Sequence, residues 1–215
     1  MTVFTVAISA GHYPAARGAA YNGTYEYDET VPWQLLLAEK VNEFKGGDRH
    51  LYVTGKIIGT GKLPQKVAEI NAIKGCDLAI EIHFNGAADP SVSGCETLYY
   101  PGSEAGLAAA KQIQIPLYTA MRNKNRGIKE GWYKMDRPGV VDFDGDQDGD
   151  EQPDYFLAKT DCTSLILEPD FMGQIENIRA KREQACVVIC DSIYALAERK
   201  HELYNLPPES PGGMN

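Results

Sequence analysis

Short apolar runs that alternate with amphipathic helical segments constrain the fold of this chain more than any other feature. Five runs have the composition of buried strands: VFTVAIS, HLYVTGKI, DLAIEIHF, CETLYY and TSLILEPDF. Helical patterns lie between them and begin at Thr30 with Pro32, near residue 63, at Ser103 and after Gly173. This alternation predicts an α/β fold with a mixed, mostly parallel central sheet of about six strands, covered by helices on both faces.

The length of the chain favours one domain. We predict that domain over residues 1–200 of the 215, followed by a disordered tail at 201–215 that is rich in Pro and Gly. An acidic insertion at 141–154 interrupts the domain. The sequence shows no internal repeat and leaves the oligomeric state open.

Charge and hydropathy exclude two classes of partner. The net charge is -9 and Lys and Arg form no cluster, so we expect no nucleic acid. No apolar run approaches the ~20 residues that a membrane span requires. The start, MTVFTVAISAGH, lacks the basic segment and long apolar core of an export signal, so we expect synthesis in the cytoplasm and five reduced, mostly packed cysteines.

Two histidines follow strands at the positions where open α/β sheets build their sites. His12 follows the first strand and a glycine, and His83 ends the run DLAIEIHF. Either one alone is more often a hydrogen-bonded structural histidine than a ligand. Two imidazoles and one carboxylate, however, form a catalytic zinc set with an open fourth position. Glu26 and Glu29 are both candidates for that carboxylate, although either can be a first-turn acid that complements the helix dipole.

A further carboxylate closes an apolar strand. Glu168 ends the run LILE, where an unpaired charge is costly to bury. A surface turn formed with Pro169 and Asp170 would explain it simply. The functional interpretation is a general base or acid beside an activated water.

The acidic insertion contains DGDQDG, which matches the start of a calcium loop. Asp144, Asp146 and Asp148 would be the ligands. Tyr155 occupies the twelfth position, where an EF-hand carries a bidentate Glu, so a complete EF-hand is excluded. A solvated acidic loop is the simpler interpretation, and a calcium ion that stiffens the loop is the alternative.

The motifs, taken in order, resemble those of the zinc-dependent N-acetylmuramoyl-L-alanine amidases of bacteria and their phages, the type 3 amidase family. The resemblance spans Val3 to Ala197 and rests on AGHY followed by RGAA, EYDETVPWQLLLAEKV, EIHFNG, SGCETLYY, NRGIKE and LILEPDF. The chain departs from the family by carrying Tyr13 where Gly is common and Glu81 where Ser is usual.

The resemblance implies a set of site residues. One zinc ion per chain would bind His12, Glu26 and His83, and Glu168 would be the catalytic acid and base. Glu26 is preferred to Glu29, which would put charged residues at apolar positions of the following helix. The supporting or substrate-binding residues are then Glu81, Asn85 and Arg126. Manganese or cobalt could replace zinc on such ligands.

The resemblance also implies the substrate, which is peptidoglycan cut between N-acetylmuramic acid and the L-Ala of the stem peptide. Such an enzyme would act on the cell wall after release across the membrane, as a phage endolysin or a bacterial wall amidase. Two alternatives stay open from the residues alone. One is a zinc amidohydrolase or peptidase for another amide, and the other is a non-catalytic module that binds calcium or glycan.

Overall fold

A computed structural model describes residues 2–44, 51–137, 140–142 and 151–205 of the chain. The three candidate calcium ligands Asp144, Asp146 and Asp148 lie outside the described residues, as does segment 206–215. Calcium binding therefore stays a prediction. The last helix continues to Asn205, so its final residues lie within the predicted tail.

Strands and helices alternate along the chain. The strands are β1 (Thr2–Ala10), β2 (Ala20–Tyr21), β3 (Thr24–Tyr25), β4 (Leu51–Ile57), β5 (Cys76–Ile82), β6 (Cys95–Tyr99), β7 (Asn125–Glu130), β8 (Trp132–Arg137), β9 (Val140–Asp142), β10 (Glu151–Pro153) and β11 (Thr163–Glu168). The helices are α1 (Glu26–Glu43), α2 (Leu63–Asn71), α3 (Glu104–Met121), α4 (Tyr155–Lys159) and α5 (Ile175–Asn205), and a 3-10 turn spans Met172–Gln174.

Six strands form the central sheet in the order β4-β1-β5-β11-β6-β7. All neighbours are parallel except β11 and β6, which are antiparallel. The carboxyl ends of β1, β5 and β11 therefore meet the amino end of β6 at one edge of the sheet. The predicted α/β class, with a mixed and mostly parallel sheet of about six strands, is confirmed. Strands β8 to β10 form a separate three-stranded sheet, and β10 and most of β9 lie within the predicted insertion at 141–154.

Helices cover both faces of the sheet, as predicted. Helices α1, α3 and α5 pack on one face, where Trp33, Ile113 and Ile189 are fully buried against the sheet residues Ile80 and Leu165. The opposite face is covered by α2 and α4 and buries Ile70, Phe156 and Ile166, among others. Each large apolar side chain that is buried in this way stabilises the fold by about 1.5–3 kcal/mol. In the described part of the chain, no helix is long and apolar enough to cross a membrane.

Helix α1 begins four residues earlier than the sequence predicts. The start signal at Thr30 and Pro32 was wrong, because α1 begins at Glu26 and Pro32 lies inside it. Tertiary contacts satisfy the first amides: the N–H of Glu26 donates to the Ala19 carbonyl, 2.8 Å, and the N–H of Tyr27 donates to the Arg17 carbonyl, 3.0 Å. The earlier start places the Glu26 side chain at the edge of the sheet where the site lies.

Candidate metal centre

The ends of β1 and β5 bring the two predicted histidines together. The N–H of Gly11 donates to the Ile82 carbonyl at 2.7 Å, which holds the chain after β1 against the end of β5. The rings of His12 and His83 then meet edge to face, with centroids 4.9 Å apart. A Cβ at Gly11 would lie 2.6 Å from atoms of the His83 ring, so only glycine permits this approach.

The His12 ring is directed inwards by an unusual backbone conformation. His12 has φ of 63°, in the left-handed region that few residues other than glycine adopt. Gly18, with φ of 74°, packs its backbone against the His12 ring and the Glu26 carboxylate, and a side chain there would collide with both. The Gly-Ala pair in the sequence therefore serves close packing around the two side chains.

Glu26 lies between the two imidazoles and is 3% exposed. Its Oε2 is 2.9 Å from His12 Nε2, and its Oε1 is 2.9 Å from His83 Nδ1. Backbone N–H groups of Ala19 and Phe84 donate to the same carboxylate at 3.1 and 2.9 Å. Burial alone would raise the pKa of Glu26, but the contacts with both histidines outweigh it and hold that pKa well below its usual range.

These three side chains form one cluster. A nitrogen of each histidine and an oxygen of Glu26 all lie within 4.8 Å of one another. Glu29, the alternative ligand, is not among them, because its Oε1 accepts hydrogen bonds from Arg179 Nε at 3.0 Å and from Arg179 Nη2 at 2.7 Å. The structure thus brings Glu26 to the histidines and places Glu29 in an ion pair with α5.

A second carboxylate holds the far side of the His83 ring. Glu81 is buried on β5, and its Oε2 lies 3.2 Å from His83 Nε2. Both ring nitrogens of His83 therefore face carboxylate oxygens, although a neutral imidazole carries only one N–H. Burial would lower the pKa of His83, but Glu26 and Glu81 together raise it well above its ordinary value. The ring accordingly needs a second positive centre, which a proton or a metal cation can supply.

Lys66 balances the charge of Glu81 from helix α2. Its ammonium group is buried and lies 3.3 Å from Glu81 Oε1. It also donates to the carbonyl of His12 at 2.6 Å and to that of Ala10. Ser9 Oγ donates to Glu81 at 3.0 Å. One buried lysine therefore ties α2 both to the turn that carries His12 and to the carboxylate that contacts His83.

Glu168 ends β11 at the same edge of the sheet. Its Oε2 is buried and has no hydrogen-bond partner among the described residues. Burial raises the pKa of Glu168 well above its ordinary value; the positive charge of His83 opposes this shift, and the negative charges of Glu26, Glu96 and Glu81 add to it. An unpaired carboxyl oxygen whose proton affinity is raised is suited to exchanging a proton with a bound water or substrate.

Glu96 lies directly opposite Glu168 in the antiparallel pair of β6 and β11. It is buried and accepts hydrogen bonds from Asn85 Nδ2 at 3.0 Å, Arg126 Nε at 2.9 Å and Lys129 Nζ at 2.7 Å. Burial would raise the pKa of Glu96, but the two cations and Asn85 lower it. Glu96 thereby links two of the predicted supporting residues, Asn85 and Arg126, to the strand pair that carries Glu168.

A cavity of about 480 Å³ opens beside the two histidines. Its polar walls include Lys66 and Glu81, and its apolar walls include Tyr13 and Leu63. Segment 152–155 closes another side. The site therefore has an adjoining space for part of a large substrate.

Sequence reasoning missed Lys66 and Glu96, although both carry a signal. Lys66 lies on the same helical stripe as Leu63, Val67 and Ile70, where a charge is unexpected. Glu96 shares a strand face with Leu98 by alternation. A charged residue in such a pattern is often exposed at the end of a helix or strand. The sequence pattern alone therefore did not show that Lys66 and Glu96 are buried.

Known proteins resemble this chain in sequence pattern and in fold. The family model described as N-acetylmuramoyl-L-alanine amidase matches residues 6–190. Among curated proteins, none matches the chain significantly.

Solved structures that share the fold include three amidases, and at these identities the likeness concerns the fold alone. An N-acetylmuramoyl-L-alanine amidase from Clostridium difficile 630 superimposes with a TM-score of 0.72 at 17% identity, covering 92% of this chain and 98% of its own. The catalytic domain of CwlV, an amidase of the same name from Bacillus (Paenibacillus) polymyxa, gives 0.68 at 17% identity over 92% and 99%. The amidase AmiC2 of Nostoc punctiforme gives 0.69 at 22% identity over 91% and 98%.

Proposed function

The chain belongs to the type 3 N-acetylmuramoyl-L-alanine amidase family, and we propose that it hydrolyses peptidoglycan at the amide between N-acetylmuramic acid and the L-Ala of the stem peptide. One observation carries the proposal: His12, Glu26 and His83 offer three ligand atoms within 4.8 Å of one another, at the sheet edge where Glu168 ends β11. The matched region, 6–190, contains all four residues.

We propose zinc as the cofactor, held by His12 Nε2, the Glu26 carboxylate and His83 Nδ1. Two neutral imidazoles and one carboxylate are a donor set that suits zinc and leaves a position open. The fit is supported by the crowding of acceptors around His83, where a cation would relieve the contact between Nδ1 and the Glu26 oxygen. When bound, zinc polarises a carbonyl and lowers the pKa of water.

We propose Glu168 as the group that moves the proton. Its raised pKa and its unpaired buried oxygen suit a carboxylate that takes a proton from the attacking water and returns it to the leaving nitrogen. Two other carboxylates form ion pairs: Glu81 with Lys66, and Glu96 with Arg126 and Lys129. Glu168, by contrast, has a buried carboxyl oxygen without any hydrogen-bond partner among the described residues.

The supporting residues lie on two sides of the proposed metal site. On one side Glu81 accepts from His83 Nε2 and fixes the tautomer that leaves Nδ1 free for the metal. On the other side Asn85 and Arg126 share Glu96. Arg126 also lies over the Phe171 ring, 4.9 Å from its centroid, so its guanidinium is held in place beside the cleft. Asn85 and Arg126 are therefore the proposed contacts for polar groups of the stem peptide.

The experiment that tests the proposed function is digestion of purified peptidoglycan with mass analysis of the products. The proposal requires soluble stem peptides with a new L-Ala amino terminus and no new reducing sugar ends. The same digestion with Glu168→Gln is the matched control and should release no stem peptides. New amino termini on another residue would indicate a peptidase, and new reducing ends would indicate a glycosidase; either result rejects the proposed bond.

We propose that the enzyme acts on the cell wall, since peptidoglycan is its substrate, and that it reaches the wall after release across the membrane, as in phage lysis. Expression inside a susceptible bacterium tests whether the enzyme needs release across the membrane. Lysis should require a co-expressed membrane-permeabilising protein, whereas lysis by the enzyme alone would contradict the need for release.

A further inference from the structure

Two cysteines lie in contact at the edge of the sheet opposite the metal centre. Cys76 begins β5 and Cys162 comes directly before β11, the neighbouring parallel strand. Their Sγ atoms are 3.1 Å apart. This separation is about 1 Å more than the ~2.05 Å of a disulfide bond. The two thiols thus need only a small movement to become bonded.

Local hydrogen bonds hold the two cysteine segments beside each other. Asn71, the last residue of α2, donates from Nδ2 to the Lys159 carbonyl at 2.8 Å and accepts from the Asp161 N–H at 3.0 Å. On the other side Gly75 adopts φ of 70°, and the Cys76 N–H donates to the Ile73 carbonyl at 3.3 Å. The thiol contact is therefore set by the backbone at both partners.

The pair differs from the other cysteines in exposure. Cys76 and Cys162 are both partly exposed and line a surface depression of about 170 Å³. Cys95, Cys186 and Cys190 are buried, and burial raises the pKa of Cys186 to about 12 and that of Cys190 to about 11. Reagents in solution can thus reach the pair, whereas the other three thiols are shielded.

From this geometry we propose that Cys76 and Cys162 form an intramolecular disulfide bond when the protein meets a low-molecular-weight disulfide such as oxidised glutathione. The bond would link β5 to β11 and close a loop between residues 86 positions apart. The proposal does not rest on the proposed enzymatic function, so each can fail without the other.

The reaction is a thiol–disulfide exchange in two steps. Cys162 donates its S–H to Cys76, which lowers the pKa of the Cys76 thiol and makes it the attacking thiolate. The Cys76 thiolate attacks one sulfur of the external disulfide, whose S–S bond breaks and releases one small thiolate. That thiolate takes the Cys162 proton. The Cys162 thiolate then attacks the Cys76 sulfur and displaces the second small thiolate, which takes up from solvent the proton that Cys76 had released. The protein loses two electrons, and the external disulfide becomes two thiols.

The cross-link should stabilise the fold without changing catalysis. Strand β5 and the next residue separate Cys76 from His83 by about 23 Å at ~3.3 Å per residue, so the bond does not reach the metal centre. Closing a loop of this length restricts the unfolded chain. For a chain of this size the melting temperature should rise by roughly 5–15 °C on oxidation.

The test uses the full chain, equilibrated in oxidised glutathione or in a phosphine reductant. Oxidation should reduce the titratable thiols of the unfolded protein from five to three, because two of the five cysteines are consumed. Peptide mapping should find Cys76 joined to Cys162, and the melting temperature should rise as stated. Five remaining thiols, a bond between any other pair, or equal melting temperatures of the bonded and reduced forms would overturn the proposal.

Matched variants separate this bond from a general effect of the oxidant. Cys76→Ser should melt at the same temperature in both conditions, because it has lost one partner. Cys190→Ala, which removes a buried thiol on α5, should keep the full rise. A Cys76→Ser variant that still gains stability on oxidation would contradict the pairing, and the peptide map of the unaltered chain decides the question if that variant does not fold.

Discussion

Replacing Lys66 with methionine should destabilise the protein far more than the loss of an ordinary ion pair. The side chains of Lys66 and Glu81 are 2% and 3% exposed, and Lys66 Nζ lies 3.3 Å from Glu81 Oε1. Lys66→Met keeps the length of the side chain but removes one of the two cationic partners of the buried Glu81 carboxylate, which then faces His83 alone. It also removes the hydrogen bonds to the Ala10 and His12 carbonyls.

The expected loss follows from the energetics of buried charges. Removing one partner of a buried pair costs about 3–5 kcal/mol when the remaining charge is uncompensated. Here His83 still faces Glu81, which lowers the cost, but the hydrogen bonds to two buried carbonyls are lost as well, so we expect the same range. For a chain of this size that loss lowers the melting temperature by roughly 6–20 °C. Lys66→Met combined with Glu81→Gln should recover at least ~1 kcal/mol of it, since no buried charge is then left unpaired.

An exposed pair of similar geometry supplies the matched control. Lys40 Nζ lies 3.1 Å from Glu183 Oε1, with the two side chains 25% and 75% exposed. Lys40→Met should change the stability little, because solvent screens an exposed ion pair. The assay is urea unfolding followed by circular dichroism, with a chelator present so that metal binding does not add to stability. If Lys66→Met and Lys40→Met differ by less than 1 kcal/mol, the argument from burial is wrong.

Three further predictions concern the metal centre itself. Glu168→Gln should keep zinc by elemental analysis but lower kcat by about 10²–10⁴, and normal turnover in this variant would exclude Glu168 as the proton carrier. Glu26→Ala should lose zinc while Glu29→Ala retains it, and the opposite outcome in the same elemental analysis would reverse the choice of ligand. Because Glu26 and Glu81 raise the pKa of His83 in the metal-free protein, a proton competes with zinc there. Zinc affinity should therefore weaken as the pH falls, and the weakening should begin above the ordinary histidine pKa of ~6.5. Zinc-binding titrations that show the same affinity across pH 6–9 would contradict this competition.

The main architecture could be predicted from sequence because burial imposes a clear pattern. The apolar runs that became β1, β5 and β11 lie in the middle of the sheet, where both faces are covered. Strand β7 was not predicted as a strand, because NRGIKE is charged and lies at the edge of the sheet. Edge strands are only partly buried, so their composition carries little signal.

The site was predicted only in part, because some of its contacts join residues that are distant in the sequence. His12, Glu26 and His83 follow recognisable motifs, and the structure brings them together. The start of α1 was misplaced because its first amides bond to Ala19 and Arg17, which local start signals do not reveal. Long-range partnerships of this kind, including that of Cys76 with Cys162, depend on strand order and become visible only in the folded chain.

Zinc binding by His12, Glu26 and His83 is tested most directly by anomalous diffraction at the zinc edge, from crystals of the protein purified without chelator. We expect one peak per chain, in contact with His12 Nε2, the Glu26 carboxylate and His83 Nδ1. A peak bound by other residues, or no density between these three side chains in zinc-saturated crystals, would contradict it.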